Sequence, residues 1–353
     1  MYQDMLTLNR AIALTKSFAK WSAIILGSII TLVILFKIGV FLKEMIAPTP
    51  PSPPTVSFGK LPEIEFPRNS NQTNYNYVID TITGTLPEFP DRAKVFKIEK
   101  GEPDLLALQK ASEKVAKEGF ISPPIKAEGN LFQWTDPNSQ IGKKIVMDIF
   151  SYEFSVTSSF YSNPSVLSGK NLSGPEAARE TGENFLSNLS LLSEDIDLPK
   201  TRTSLFTIRD SSLIPATSVA TAQVIKVDFF QKDLDKLPVF YPNPEDSTMD
   251  LFVGGGESFA QVIQGDFFHQ NISKDSSTYP IKTADEAFEE LREGKAFIAS
   301  PGTGGKNVSV KEVKLGYYMG GKKQDYLMPI VVFKDGSGFA AYILAVKDEW
   351  IGK

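Results

Sequence analysis

The chain has 353 residues, 37 Lys/Arg against 42 Asp/Glu, one histidine and no cysteine. The missing cysteines exclude disulfides, iron–sulfur clusters, thiolate zinc sites and cysteine nucleophiles, and one histidine excludes a multi-histidine metal site. The first 47 residues hold five Lys/Arg and two Asp/Glu, so the rest carries 32 against 40, an acidic balance that gives nucleic acid no cationic surface to hold.

Residues 1–20 read as a short cytoplasmic tail. Residues 21–42 form an apolar run of 22 positions, interrupted by Lys37. At about 1.5 Å per residue the run spans roughly 33 Å, enough to cross a bilayer. Trp21 sits at one edge, where an amphipathic ring prefers the headgroup level. A signal peptide would have a shorter apolar region and small residues at a cleavage site, and Met45 with Ala47 fits that poorly. The expectation is a retained single-pass helix whose partner is the lipid bilayer. Basic residues on both sides (Arg10, Lys16 and Lys20; Lys43 and Lys60) separate the two orientations weakly. A cytoplasmic N-terminus and an external C-terminal domain are expected.

Residues 43–76 read as a Pro/Asn-rich linker. Seven prolines fall in residues 48–67, and such a segment stays extended as a semi-rigid spacer.

Three α+β modules are expected beyond it, at residues 77–165, 166–272 and 273–353. In the first, Pro103 opens a helix to Lys117, with Leu105, Leu108, Ser112 and Val115 on one face and Gly119 at its end. Strands are expected at 131–135 and 144–158, the latter bent or broken. The second opens on Ser173-Gly174-Pro175-Glu176, read as a capping box. Ala177, Thr181, Phe185, Leu189 and Leu192 are expected to face the core. Strands follow near 202–208, 216–230, 248–253 and 258–269. The third repeats the order. Thr283-Ala284-Asp285-Glu286 is a second capping box, Ala284, Ala287, Phe288 and Leu291 mark the buried face, and Gly294 stops the helix. Strands are expected at 308–319, 326–333 and 339–346, the last two joined by Asp335-Gly336-Ser337-Gly338 as a hairpin turn. Helix-then-meander units give an α+β class, each helix covering one sheet face.

The third block carries a resemblance. The capped helix at 283–291, Leu315-Gly316-Tyr317-Tyr318, Pro329-Ile330-Val331-Val332-Phe333 and Gly338-Phe339-Ala340-Ala341-Tyr342 follow in an order similar to the C-terminal part of YycH/YycI-type regulators, and more loosely to PepSY-like domains. Val227-Asp228-Phe229-Phe230 with Leu237-Pro238-Val239 resembles the strand and loop before their second half. The likeness covers roughly residues 170–348. It implies a single-pass protein with an external α+β domain that modulates an envelope-sensing kinase through membrane contacts. The Pro-rich segment and the first block depart from that pattern.

No residue is singled out as catalytic, cofactor-binding or metal-binding, and no cofactor is expected. Gly254-Gly255-Gly256 lacks the Lys-Ser/Thr of a phosphate loop and reads as a turn. Gly302-Thr303-Gly304-Gly305-Lys306 reads as a mobile loop. Glu194, Asp195 and Asp197, and likewise Asp246 and Asp250, read as solvated acids without calcium-loop spacing. His269 reads as a partly exposed strand residue. Tyr317, Tyr318, Phe333, Phe339 and Tyr342 read as core. These features favour a non-catalytic external domain that binds or regulates an envelope membrane protein. A glycan hydrolase with paired carboxylates and a structural subunit of a surface assembly stay open.

Overall fold

The computed structural model describes residues 20–22, 25–38, 53–67 and 75–352. The chain divides into two compact units, Met1–Pro53 and Pro54–Lys353.

In the first unit, α1 (Lys20–Ile38) is a helix of 19 residues, long and apolar enough to cross a membrane. It spans about 28 Å. Its large apolar side chains among the described residues, Trp21 and those from Ile25 to Ile38, are exposed. Thr31 returns its hydroxyl to Gly27 O at 2.9 Å, which keeps that polar group satisfied within the helix. Residues 39–42 of the expected run lie outside the described residues.

The second unit runs through β1 (Asn76–Ile79), β2 (Arg92–Ile98), α2 (Ala107–Ala116), β3 (Ile125–Glu128), β4 (Leu131–Thr135), β5 (Lys144–Asp148), β6 (Phe154–Thr157), α3 (Pro164–Leu167) and α4 (Pro175–Asn188). It continues with β7 (Arg202–Arg209), β8 (Ser212–Pro215), β9 (Val224–Asp228), β10 (Val239–Phe240), β11 (Met249–Gly254), β12 (Gln261–Phe267) and β13 (Ile272–Pro280). Then come α5 (Ala284–Arg292), β14 (Phe297–Pro301), β15 (Asn307–Val310), β16 (Glu312–Tyr318), β17 (Tyr326–Lys334) and β18 (Phe339–Leu344). The α+β class holds, with sheet dominating.

The modules are drawn differently from the expectation. A nine-stranded sheet in the order β3-β4-β5-β6-β12-β11-β9-β7-β8 merges strands assigned to the first and second modules. A second sheet has the order β10-β16-β17-β18-β14, with β2 pairing both β13 and β17, and β1 pairs β15 in parallel beside it. The inner lobe, holding the nine-stranded sheet, is therefore inserted between β2 and β13. The outer lobe is built from both ends of the unit, with β10 added to its sheet from within the inserted segment.

The expected linker is in part folded. Residues 43–52 and 68–74 lie outside the described residues, but Leu61 and Ile64 are buried at 0% and 6% exposure. Leu61 forms a parallel bridge with Ile351. Proline content suggested solvation there, whereas the apolar residues between the prolines find the outer sheet.

Local sequence explains the helices. Thr283 and Glu286 close a true capping box on α5, and Ala284, Ala287, Phe288 and Leu291 are buried as the 3.6-residue period demands. α4 has no capping box: Gly174, at φ +113°, is the N-cap, so Ser173 stands one residue too early. Phe185 and Leu189 are buried as expected, whereas Ala178, Gly182 and Leu186 are buried in place of Ala177, Thr181 and Leu192. α2 begins at Ala107, after Pro103, and buries Ala107, Ala111 and Val115, while Leu105 is fully exposed. α2 and α4 cover one face of the inner sheet, and α5 one face of the outer sheet. The turn at 335–338 is as expected: Asp335 Oδ1 accepts from Ser337 N at 2.8 Å and Phe339 N at 2.7 Å.

Candidate functional site

Strand alternation sends Val227 and Leu251 to the helical side of the inner sheet. Their neighbours therefore point the other way. Register places Arg202 opposite Asp228, Asp228 opposite Asp250, Asp250 opposite Asp266, Asp266 opposite Ser155 and Ser155 opposite Val146. Directly opposed residues share a face, so three aspartates lie side by side on adjacent strands, an arrangement that repulsion disfavours.

Lys226 offsets part of that repulsion. Its Nζ lies 2.8 Å from Asp228 Oδ1, 2.7 Å from Asp246 Oδ1 and 3.7 Å from Asp250 Oδ2. Burial works to lower the Lys226 pKa, but bonds to Asp228 and Asp246 outweigh it and push it up to about 12. Asp228 is raised by burial against the pull of Lys226. Asp250 is the most perturbed: burial, opposed by Lys226 and reinforced by Asp228 and Asp266, lifts it to about 7. Its side chain is 18% exposed, and Oδ1 is buried without a hydrogen bond. The reading of Asp250 as a solvated acid is thus corrected; a strand neighbour on each side removes its water.

This face opens into a cavity of about 630 Å³, lined by Leu131, Val146, Ser155, Asp250 and Asp266 among others. A second cavity of about 500 Å³ continues beside it. Asp148, Glu153 and Lys323 line both. Lys323 comes from the outer lobe, on the loop between β16 and β17, and its ammonium donates to Asp148 Oδ2 at 2.8 Å and lies 3.7 Å from Glu153. The Oδ1 of Asp148 accepts from Phe150 N at 2.9 Å and Ser151 N at 3.1 Å, which shapes the β5–β6 turn. Burial works to raise the Asp148 pKa, but Lys323 and those backbone donors outweigh it and hold the carboxyl below its ordinary value. Glu153 goes up, chiefly by burial.

Gln270 fixes the loop that carries Lys323. It is 4% exposed, its Oε1 accepts from Gln324 N at 3.0 Å, and its Nε2 donates to Lys322 O at 3.3 Å. Beside it, His269 is buried at 8% exposure, which corrects the expectation of a partly exposed residue. Its Nε2 meets Asp195 Oδ1 at 2.9 Å and Ser193 Oγ at 3.2 Å. Asp195 also accepts from Gln231 Nε2 at 2.7 Å. Burial works to raise the Asp195 pKa, but His269 holds it well below the usual carboxylate range. Serine and aspartate converge on the same ring nitrogen, whereas a catalytic triad needs them on opposite nitrogens, so this cluster ties chains together rather than activating Ser193.

The other sequence features separate. Asp197 pairs with Lys200 at 3.3 Å, and Glu194 offers its carbonyl to Lys232. Among the described residues no group of three or more His, Asp or Glu is placed to hold a metal ion. Gly254 ends β11, and Gly255 packs on the backbone of Ser165 and Lys170. Tyr317, Tyr318, Phe333, Phe339 and Tyr342 are all core. Val227 and Val239, expected in one strand-and-loop feature, belong to different sheets.

No protein-family model and no curated protein matches the chain. A crystal structure of an uncharacterized protein from Eubacterium rectale ATCC 33656 is similar at 14% identity and a TM-score of 0.40, over 81% of this chain and 91% of that one.

Proposed function

We propose that the chain is a single-pass membrane-anchored protein with a cytoplasmic N-terminus, and that its two-lobed unit binds or regulates an envelope membrane protein without catalysis. The observation that carries this reading is the cleft at Asp148, Glu153 and Lys323, where side chains of both lobes meet over two adjoining cavities. An occupant there touches both lobes at once, so binding alters the contact between them. The apolar α1 supports the location, and the pattern shared with YycH/YycI-type regulators supports regulation over catalysis.

The test is photo-crosslinking of the full-length chain in its native membranes from a probe at Ser155, inside the cleft. A specific heterologous adduct, lost in Asp148→Asn, is the expected result. Recovery of only this chain would overturn the reading.

One observation favours a hydrolase as the second reading. Asp250, pushed up to about 7, lies opposite Asp266 on the adjacent strand, and glycoside hydrolysis uses a pair of carboxyl groups as acid and base. Incubation of the full-length protein with purified cell wall decides it: release of fragments that Asp250→Asn abolishes supports this reading, and no release removes it.

A further inference from the structure

The Pro-rich segment after the anchor leads into residues 55–66, which lie across the outer sheet on the face opposite α5. At one end Val56 N donates to Thr278 O at 3.1 Å, and Ser57 N to Ser277 Oγ at 2.8 Å. At the other, Leu61 N donates to Trp350 O at 2.8 Å and Gly352 N to Leu61 O at 2.7 Å. Between and beyond these ties, Leu61, Ile64 and Phe66 join a cluster with Tyr318, Val332 and Tyr342. Phe66 stacks on Phe297 with centroids 5.1 Å apart and meets Tyr318 edge-on at 4.7 Å.

This closure is frustrated at three points. Val56 is β-branched yet sits at φ +37°, a conformation such residues avoid. Tyr318 and Tyr342 are buried at 1% and 0% exposure, and neither hydroxyl has a hydrogen bond. A buried hydroxyl without a protein partner opposes the closed state. Apolar contacts hold the segment down, while backbone strain and the unpartnered hydroxyls work to release it.

We propose that residues 55–66 are a releasable strap, continuous with the membrane anchor, whose displacement uncovers the aromatic face of the outer lobe formed by Tyr318, Tyr342 and Phe297. The proposal does not rest on what the cleft binds, and Glu65 of the strap lies 3.6 Å from Lys322, on the loop that carries Lys323. Displacement of the anchor acts on the strap before any strand of the sheets, because the chain enters the unit there.

Hydrogen exchange on the full-length protein in detergent tests it, read on peptides covering 55–66 and the C-terminal residues through Gly352, with β11 as reference. In the unmodified protein the strap is expected to exchange at least about tenfold faster than β11. Tyr342→Phe and Tyr318→Phe remove the unpartnered hydroxyls and should each slow strap exchange roughly fivefold or more. Leu61→Ala should accelerate it at least about tenfold, with β11 unchanged. The proposal is overturned if strap and β11 exchange together in the unmodified protein, or if both tyrosine variants leave the strap rate where it was. The phenylalanine variants are expected to fold at least as well as the parent, so the test does not depend on Leu61→Ala surviving.

Discussion

Lys323 of the outer lobe donates to Asp148 Oδ2 of the inner lobe at 2.8 Å, the polar tie that divides the two cavities. The lysine side chain is 60% exposed and the aspartate 8%, so solvent screens one partner while the other depends on the contact. Lys323→Ala is expected to lower stability by about 1 kcal/mol or less at pH 7. Asp148 is held below its ordinary value of 3.8, so its contribution is full above that pH and fades as pH falls through the folded pKa. The deficit of the variant should therefore shrink as pH falls from 3.8 through the folded pKa of Asp148. Denaturation midpoints of both proteins at pH 7 and at a series of pH values descending from 3.8 check this; a deficit that stays constant across the whole acid series would remove the ion pair from the explanation.

Asp250 has the opposite sign. Its folded pKa of about 7 lies above the ordinary 3.8, so the folded chain holds a proton that the unfolded chain has lost between those values. Stability falls as pH rises across that window, and the penalty is full above it. Asp250→Asn keeps the shape and removes the charge. It should match the parent near pH 4 and exceed it by on the order of 2 kcal/mol above pH 7. Thermal melts from pH 4 to 8 measure the difference, and a pH-independent offset would rule this account out.

The capping box of α5 is a local feature with a local cost. Thr283 Oγ1 accepts from Glu286 N at 3.1 Å, and Glu286 Oε2 accepts from Thr283 N at 2.8 Å. Thr283→Ala should cost about 1 kcal/mol. Thr283→Ser should restore most of it, since only the hydroxyl oxygen is needed. A serine variant as unstable as the alanine one would show that the threonine methyl, not the cap, is responsible.

The parts legible in the sequence are those set by neighbours in the chain. α5, the β17–β18 turn and the 131–135 strand follow from capping residues, periodicity and glycine within a few positions. The strap was missed because its burial is decided by Ile351, far along the chain, while its own composition reads as a spacer. The insertion of the inner lobe escaped for the same reason: β2 meets β13 across 174 positions, from Ile98 to Ile272. The cleft was half legible. Alternation around Val227-Asp228-Phe229 shows an aspartate facing away from a core, but nothing local aligns Asp228, Asp250 and Asp266 on adjacent strands. Lys323 gave no signal at all, being one lysine in the Gly320-Gly321-Lys322-Lys323 loop.

Gly255 shows how a glycine run read as a simple turn can carry packing. A Cβ at this position would lie 2.5 Å from both Lys170 O and Ser165 O, two backbone atoms that cannot swing aside as a side chain would. Gly256 N donates to Lys170 O at 3.1 Å and Asn171 Nδ2 to Gly256 O at 2.9 Å, so the 165–171 segment is bound to this turn. Gly255→Ala must therefore either break those bonds or push α3 away from β11. A loss of about 2 kcal/mol or more is expected, at the upper end for single substitutions. Gly321→Ala is the control, since a Cβ there has open space and a cost near zero is expected. Equal midpoints for the parent and Gly255→Ala would mean that the close approach of these backbones is not required by the fold.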